Sequence, residues 1–384
     1  MKITFYSLLM SLLWSSLMIL ITHFLRKKPF FLRKVGAPLL LVFYLLSIGR
    51  MVFPVEFPFV QEISLRNWYS QFMESFYLNE NTWANVRLSW AELAGLCWGT
   101  VSLILLLVFS IRYCISLKKL PSFFSKKDVR AEKILDKIQQ GRGKSFTVQI
   151  FRCSTTQVPV GIGLFKKKIL LPEKHLSDKE LCYILCHEYT HFLHKDLFLK
   201  MMTHLYCCVF WWNPLVYLLR KDVAQILEIK CDLAVTGEYS NLQKAEYLQT
   251  IVDLLKNGKK EALHCFPVAA GLLQSDNSLS LVERFKIVSG NVRPANNWVF
   301  ALLLGSGCTL FASYLFVIQP AYDPPSSDIF TEADVTVPNL GDVYLLKHKD
   351  GTYCLISENE QPEHIENEAV INAFLQSNVP VIEE

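Results

Sequence analysis

Four stretches almost free of charge constrain this chain more than any motif does. Residues 3–25 hold no Asp, Glu, Lys or Arg. A helix of that length crosses a hydrocarbon layer about 30 Å thick. Residues 35–55, 93–111 and 298–322 read the same way. In the second, Arg50 lies near enough to the far end to reach the headgroups; the last has aromatic residues near both ends. The first stretch is long, lacks a small-residue cleavage pattern and is followed, not preceded, by basic residues. It therefore reads as a retained anchor and not as a signal peptide. With 51% hydrophobic and 19% charged residues, the 384-residue chain has the composition of a membrane protein.

The basic residues set the expected orientation. Arg26, Lys27, Lys28, Arg33 and Lys34 follow the first span, and Arg112, Lys118, Lys119, Lys126, Lys127 and Arg130 follow the third. The positive-inside rule puts both groups in the cytoplasm. Residues 1–111 then form three transmembrane helices, with an extracytoplasmic loop at about 56–91. Residues 112–296 form a cytoplasmic domain, and 297–322 the fourth transmembrane helix. Residues 323–384 form an extracytoplasmic tail, whose 13 Asp and Glu outnumber Lys347 and Lys349. Residues 201–219 are uncharged and long enough to span, but Asn213-Pro214 interrupts them. That break favours a helical hairpin on or partly in the membrane surface; a buried pair of core helices is the other reading. Eleven cysteines without a Cys-x-x-Cys pair, such as Cys97, Cys182, Cys186 and Cys308, read as reduced, packed thiols.

Within residues 112–296, His187-Glu188-Tyr189-Thr190-His191 carries the chemistry. Positions i and i+4 share a helix face, so both imidazoles can reach one metal. Glu188 beside the first can act as general base on a zinc-bound water. Ser177-Asp178-Lys179-Glu180 is a capping box that opens the helix. Residues 148–150 and 168–172 read as strands, with Gly161 and Gly163 between them. Strand then helix is the context expected of a zinc-dependent peptidase, and a strand edge can hold an extended substrate. The competing reading is a helix with two surface histidines.

Zinc at a catalytic site takes a third protein ligand and leaves a position open. No His-x-x-Gly-x-x-His extension follows the motif. His194 shares the metal face roughly, but three ligands from one straight helix make a poor tetrahedron. Glu228 is the better candidate. It lies four residues before Asp232, so both occupy one helix face. Glu228 can ligate, and Asp232 can accept a hydrogen bond from a ligand imidazole, as can Asp196. A solvated helix face is the alternative for the Glu228 and Asp232 pair.

His-Glu-x-x-His followed by Lys195-Asp196, then Trp211-Trp212-Asn213-Pro214-Leu215-Val216-Tyr217 and Glu228-x-x-Cys231-Asp232, resembles the BlaR/MecR-type membrane metallopeptidases. Residues 160–165 and 169–172 are similar to the strand region of that family. The resemblance covers roughly residues 1–320, including four spans with the protease between the third and fourth. It implies an α-helical protein of the bacterial cell membrane, with four transmembrane helices and an inserted α+β gluzincin-like zinc metalloprotease domain. It implies Zn2+ held by His187, His191 and Glu228, with Glu188 as catalytic base. It also implies regulated proteolysis: an outside signal leads to cleavage of a cytoplasmic, repressor-like protein substrate. The inducer is not indicated.

The chain departs from the best-known members at its C-terminus, where residues 323–384 are too few for a penicillin-binding sensor domain. Ser116-Leu117-Lys118-Lys119 and Ser275-Asp276-Asn277 mimic penicillin-binding motifs, but both fall on the cytoplasmic side, so β-lactam sensing is not carried over. Residues 343–346 and 352–356 flank Asp350-Gly351 and read as a small β unit in the tail. Two other functions compete. A non-enzymatic transmembrane transducer has no need of Glu188. A constitutive quality-control or prenyl-processing protease shares the ligand pattern, but residues 211–214 and Cys231-Asp232 favour the regulatory family. Nucleic-acid binding has no support, because the basic residues sit at membrane boundaries where the lipid bilayer is the partner.

Overall fold

The computed structural model describes residues 4–65, 68–78, 80–83, 86–143, 146–154, 156, 158–257, 278–290, 296–320, 343–348, 352–357, 363–365 and 380–383. The chain is mostly helical and divides into two compact units, residues 1–320 and 321–384. Asp350-Gly351 and Ser275-Asp276-Asn277 lie outside the described residues.

The first unit opens with α1 (Phe5–Arg26), α2 (Pro29–Val35) and α3 (Ala37–Val52). Strand β1 (Gln61–Leu65), α4 (Trp68–Leu78) and the antiparallel pair β2 (Glu80–Trp83) and β3 (Val86–Ser89) lead into the 30-residue α5 (Trp90–Lys119). Residues 56–91 thus hold regular elements and are not a plain loop. Helix α1 and α5 are long and apolar enough to cross a membrane. Helix α5 leaves Leu96, Leu103, Ile104, Leu107 and Ile111 about half exposed. A chain in water seldom bares such a stripe, whereas lipid solvates it.

Two of the four expected spans form shorter apolar helices. The second starts after Gly36, where φ is 85°, and ends at Val52, so α3 has 16 residues and is about 24 Å long. The fourth stops at Ala312, and its remainder forms a strand. Arg50, expected to reach the headgroups, is instead 2% exposed. Its guanidinium donates to the Ser313 Oγ and carbonyl at 2.9 and 3.0 Å and lies 4.0 Å over the Tyr314 ring. It thereby satisfies a carbonyl that a continuing helix would have bonded itself. Helix α5 runs without a break past residue 111 to Lys119.

The next segment builds a four-stranded sheet. Short β4 (Lys126–Lys127) and α6 (Val129–Arg142) precede β5 (Val148–Cys153), β6 (Val160–Ile162) and β7 (Lys167–Pro172). The spatial order is β4-β5-β7-β6, with β5 and β7 parallel and β6 antiparallel to β7. Gly163 turns the chain from β6 to β7 at φ 90°, where an added Cβ would lie 2.1 Å from the Lys166 carbonyl. Then comes α7 (Asp178–His194), whose capping box forms as expected: Ser177 Oγ accepts from Glu180 N, and the Glu180 side chain accepts from Ser177 N. Ala131 and Leu135 of α6, Ile150, Ile169 and Leu171 of the sheet, and Leu181, Leu185 and Tyr189 of α7 share one core. Each such buried side chain contributes about 1.5–3 kcal/mol.

Helices α8 (Asp196–Val209) and α9 (Pro214–Thr236) form the hairpin, with Asn213 capping Leu215 N and Pro214 at the first helical position. One face of this hairpin is core. Tyr206, Phe210, Val216, Leu219 and Val223 pack with Ile19 of α1 and Leu40, Phe43 and Tyr44 of α3. Helices α10 (Asn241–Asn257), α11 (Ser278–Val288) and α12 (Asn296–Ala312) follow. Strand β8 (Phe316–Pro320) then pairs in parallel with β1. The described cysteines are free thiols. The second unit is a sheet of β9 (Val343–Lys347), β10 (Tyr353–Ser357), β11 (Glu363–Ile365) and β12 (Val381–Glu383) in the order β11-β10-β9-β12. The antiparallel β9–β10 pair is the expected tail unit.

Candidate metal centre

Helix α7 turns His187 and His191 to one point. Their Nε2 atoms are 3.1 Å apart. Helix α9 brings Glu228 against both, with Oε2 3.4 Å from His187 Nε2 and Oε1 3.6 Å from His191 Nε2. Glu228 is 8% exposed. The third sequence candidate thus joins the two imidazoles from a different helix, and the solvated-face reading fails. His194 is exposed at the end of α7.

The outer nitrogens fix the rings. Lys195 adopts the left-handed conformation, φ 57°, and ends α7. The chain turns there so that Asp196, first residue of α8, accepts from His191 Nδ1 at 2.8 Å. Lys230 of α9 holds the other Asp196 oxygen at 3.1 Å. His187 Nδ1 is 2.8 Å from the Tyr247 hydroxyl of α10, which donates to Asp232 Oδ1 at 2.7 Å. The Asp232 carboxylate is itself 3.4 Å from that nitrogen. Asp232 therefore reaches His187 chiefly through Tyr247, a residue the sequence did not single out. Arg284 of α11 grips both Asp232 oxygens at 2.6 and 2.7 Å. Cys231 Sγ lies 3.5 Å from His187 Nδ1, and His187, His191 and Cys231 could together hold a metal ion.

Electrostatics shows what the centre attracts. Burial opposes a charged imidazole at both histidines. Cys231, Tyr247 and Asp232 at His187, and Cys231, Glu228 and Asp196 at His191, outweigh it and raise both pKa values well above the ordinary one. Burial likewise opposes ionisation of Glu228, but Lys200 and His191 hold its carboxyl well below the usual range. For Asp232, burial is overcome by Arg284 and His187, which lower it to about 2. In the metal-free centre the raised pKa values favour the imidazolium form of both rings, whose Nε2 atoms lie 3.1 Å apart and face the ionised Glu228 carboxylate. Once deprotonated, two imidazole nitrogens and a carboxylate oxygen at this spacing suit a divalent cation.

The Glu188 carboxylate lies against Gly161 of β6. A Cβ on Gly161 would lie 2.9 Å from Glu188 Oε2 and 3.1 Å from the Phe192 ring. A side chain at position 161 would push on both the Glu188 carboxylate and the Phe192 ring. Strand β6 is the edge of its sheet among the described residues.

The BlaR1 peptidase M56 pattern matches residues 37–288, which includes the whole centre. The chain belongs to the BlaR1 peptidase M56 family. That family is one of metallopeptidases, and membership places the chain with membrane proteins of signal transduction. The methicillin resistance mecR1 protein of Staphylococcus aureus is 26% identical over 229 residues, 58% of this chain and 37% of that protein. The regulatory protein BlaR1 of Bacillus licheniformis is 26% identical over 163 residues, 41% of this chain and 27% of that protein. BlaR1 of Staphylococcus aureus is 23% identical over 249 residues, 59% and 40%. The matched segments span two-fifths or less of the length of these curated relatives.

Proposed function

We propose that this M56 member is a membrane-embedded zinc metalloendopeptidase of the gluzincin type. It cleaves a cytoplasmic, repressor-like protein in response to an extracytoplasmic signal. The reading rests on one observation above all: His187, His191 and Glu228 converge from two helices while Asp196 and Tyr247 hold the two Nδ1 atoms. These three residues would hold Zn2+, and Glu188 stands next to the first of them in the sequence. The ion, when bound, supplies Lewis-acid polarisation and lowers the pKa of a water.

The chain does the rest. Glu188 takes the proton from the attacking water and passes it to the leaving amine. Its carboxylate lies against Gly161, so a peptide added to the free edge of β6 would run beside it. Asp196 and the Tyr247–Asp232 pair keep both Nδ1 protons in place, which leaves both Nε2 lone pairs for the metal. We place residues 112–296 in the cytoplasm, the helices of residues 1–111 and 297–312 in a bacterial cell membrane, and the tail outside, on the charge asymmetry of the loops.

Glu188→Gln tests the assignment. The full chain should keep stoichiometric zinc and lose cleavage of its regulator by at least a hundredfold. Comparative proteomics of cytoplasmic regulators with and without this substitution identifies the substrate. Undiminished proteolysis by the zinc-loaded variant would refute the role of Glu188. A broad set of unfolded membrane substrates would move the function to constitutive quality control.

A further inference from the structure

The Glu228 carboxylate has a cation on each oxygen. Arg284 Nη1 lies 3.5 Å from Oε2, but that guanidinium spends its Nε and Nη2 on Asp232 at 2.6 and 2.7 Å. Lys200 Nζ donates to Oε1 at 3.1 Å, so Lys200 is the cation committed to Glu228. It is 9% exposed and sits one helical turn after Asp196, on the same face of α8. No Asp, Glu, Lys or Arg follows it until Arg220. A buried ammonium in so apolar a helix is costly unless it is paired.

Three buried carboxylates, those of Asp196, Glu228 and Asp232, are thus matched by three cations, those of Lys230, Lys200 and Arg284. Each of these carboxylates therefore has its own basic side chain before any ion is counted. A dication ligated by Glu228 adds positive charge beside Lys200 in a weakly screened interior. On Oε1 it shares the oxygen that Lys200 holds; on Oε2 it still draws on the one negative charge that Lys200 already neutralises. We propose that Lys200 sets the metal affinity of this centre by competing with a divalent cation for Glu228. The inference rests on the reading of Glu228 as a ligand. Its consequence is a site that keeps its fold without metal and exchanges metal readily. Whatever stabilises the metal-free chain more than the loaded one weakens metal binding by the same factor.

The test uses the full chain in detergent micelles. Zinc affinity is measured by chelator competition, and thermal unfolding with and without Zn2+, for the parent, Lys200→Met, Lys200→Arg and Glu228→Gln. Lys200→Met should bind zinc at least tenfold tighter, unfold at a lower temperature without zinc, and match the parent when loaded. Lys200→Arg should restore the parent affinity. Unchanged or weaker affinity in Lys200→Met, or equal destabilisation with and without zinc, overturns the proposal. Should Lys200→Met fail to fold, Lys200→Gln keeps a donor without the charge and carries the same expectation. Glu228→Gln separates the two readings. Parental affinity there defeats the ligand assignment itself, whereas lost affinity together with an unmoved Lys200→Met defeats only the role of Lys200.

Discussion

His191 and His187 face one point, yet a residue five positions on steadies the first and one sixty positions on steadies the second. The His191 half is local. A capped helix, one left-handed residue and the first carboxylate of the next helix complete it. The His187 half needs Tyr247 from α10, Asp232 and Glu228 from α9, and Arg284 from α11, so it exists only when those helices have assembled. The two halves also differ in what lies behind them. Asp222 of α9 receives the Tyr44 hydroxyl of α3 at 2.6 Å and sits 2.5 Å from His23 and 3.0 Å from Arg26, both of α1. Arg26 also pairs with Glu283 of α11 at 3.1 Å, next to Arg284. The distant half is therefore bolted to the apolar helices, while the local half rests on the sheet through Tyr189 and Leu185. The two halves of one centre thus differ in what supports them.

Asp222→Ala should have the largest effect on stability. It strips Arg26, 6% exposed, of its carboxylate partner on α9. Breaking a buried pair in this way costs about 3–5 kcal/mol. Thermal unfolding in micelles should show the loss, and zinc affinity should fall with it, because α9 carries Glu228. Unaltered zinc binding in a destabilised Asp222→Ala chain would detach the centre from the apolar helices and end the mechanical contrast.

Tyr247→Phe separates the halves more finely. It deletes the hydroxyl between His187 and Asp232 and leaves the Arg284 grip on Asp232 intact. Loss of such a partner typically weakens metal binding by about 10–100-fold. Asp196→Asn is the local counterpart; it retains an oxygen acceptor for His191 Nδ1, so its effect should be smaller. Chelator titrations of the two variants side by side give the ranking. A reversed order would show that the local contact, not the distant one, governs the centre.

The same division explains what the amino-acid sequence discloses. The pairing of His187 with His191, the cap at Ser177 and the strands around Ile150 and Leu170 follow from periodicities within a few residues, and all appear where they are expected. Glu228 and Asp232 are legible as a helix face, but that they turn toward α7 is a tertiary fact. Tyr247, Arg284 and Lys200 leave no periodic trace, since each serves the centre from its own helix. Lys200 alone has a faint signal: it shares a face with Asp196 just before a long uncharged run. Strand β6 is too short and glycine-rich to show a periodicity of its own, and residues 160–165 read as strand only through the family resemblance. The fourth apolar stretch misleads for a related reason. Arg50, 263 residues before Ser313, ends that helix, and no window of local hydropathy contains both residues.

Ser177→Ala is the smallest of these changes and the sharpest control. Its hydroxyl accepts from Glu180 N at the start of α7, and Ser177 N donates to the Glu180 carboxylate at 2.8 Å. Alanine leaves the first-turn amides without that acceptor, at a cost of about 1 kcal/mol. The capping end of α7 is exposed and lies more than two turns before His187, so fraying there stays out of the metal centre. The expected result is a chain that unfolds a few degrees earlier and binds zinc as the parent does. If Ser177→Ala instead weakened zinc binding as much as Tyr247→Phe, helix α7 would be only marginally formed without its cap. The His191 half would then depend on assembly as fully as the His187 half does.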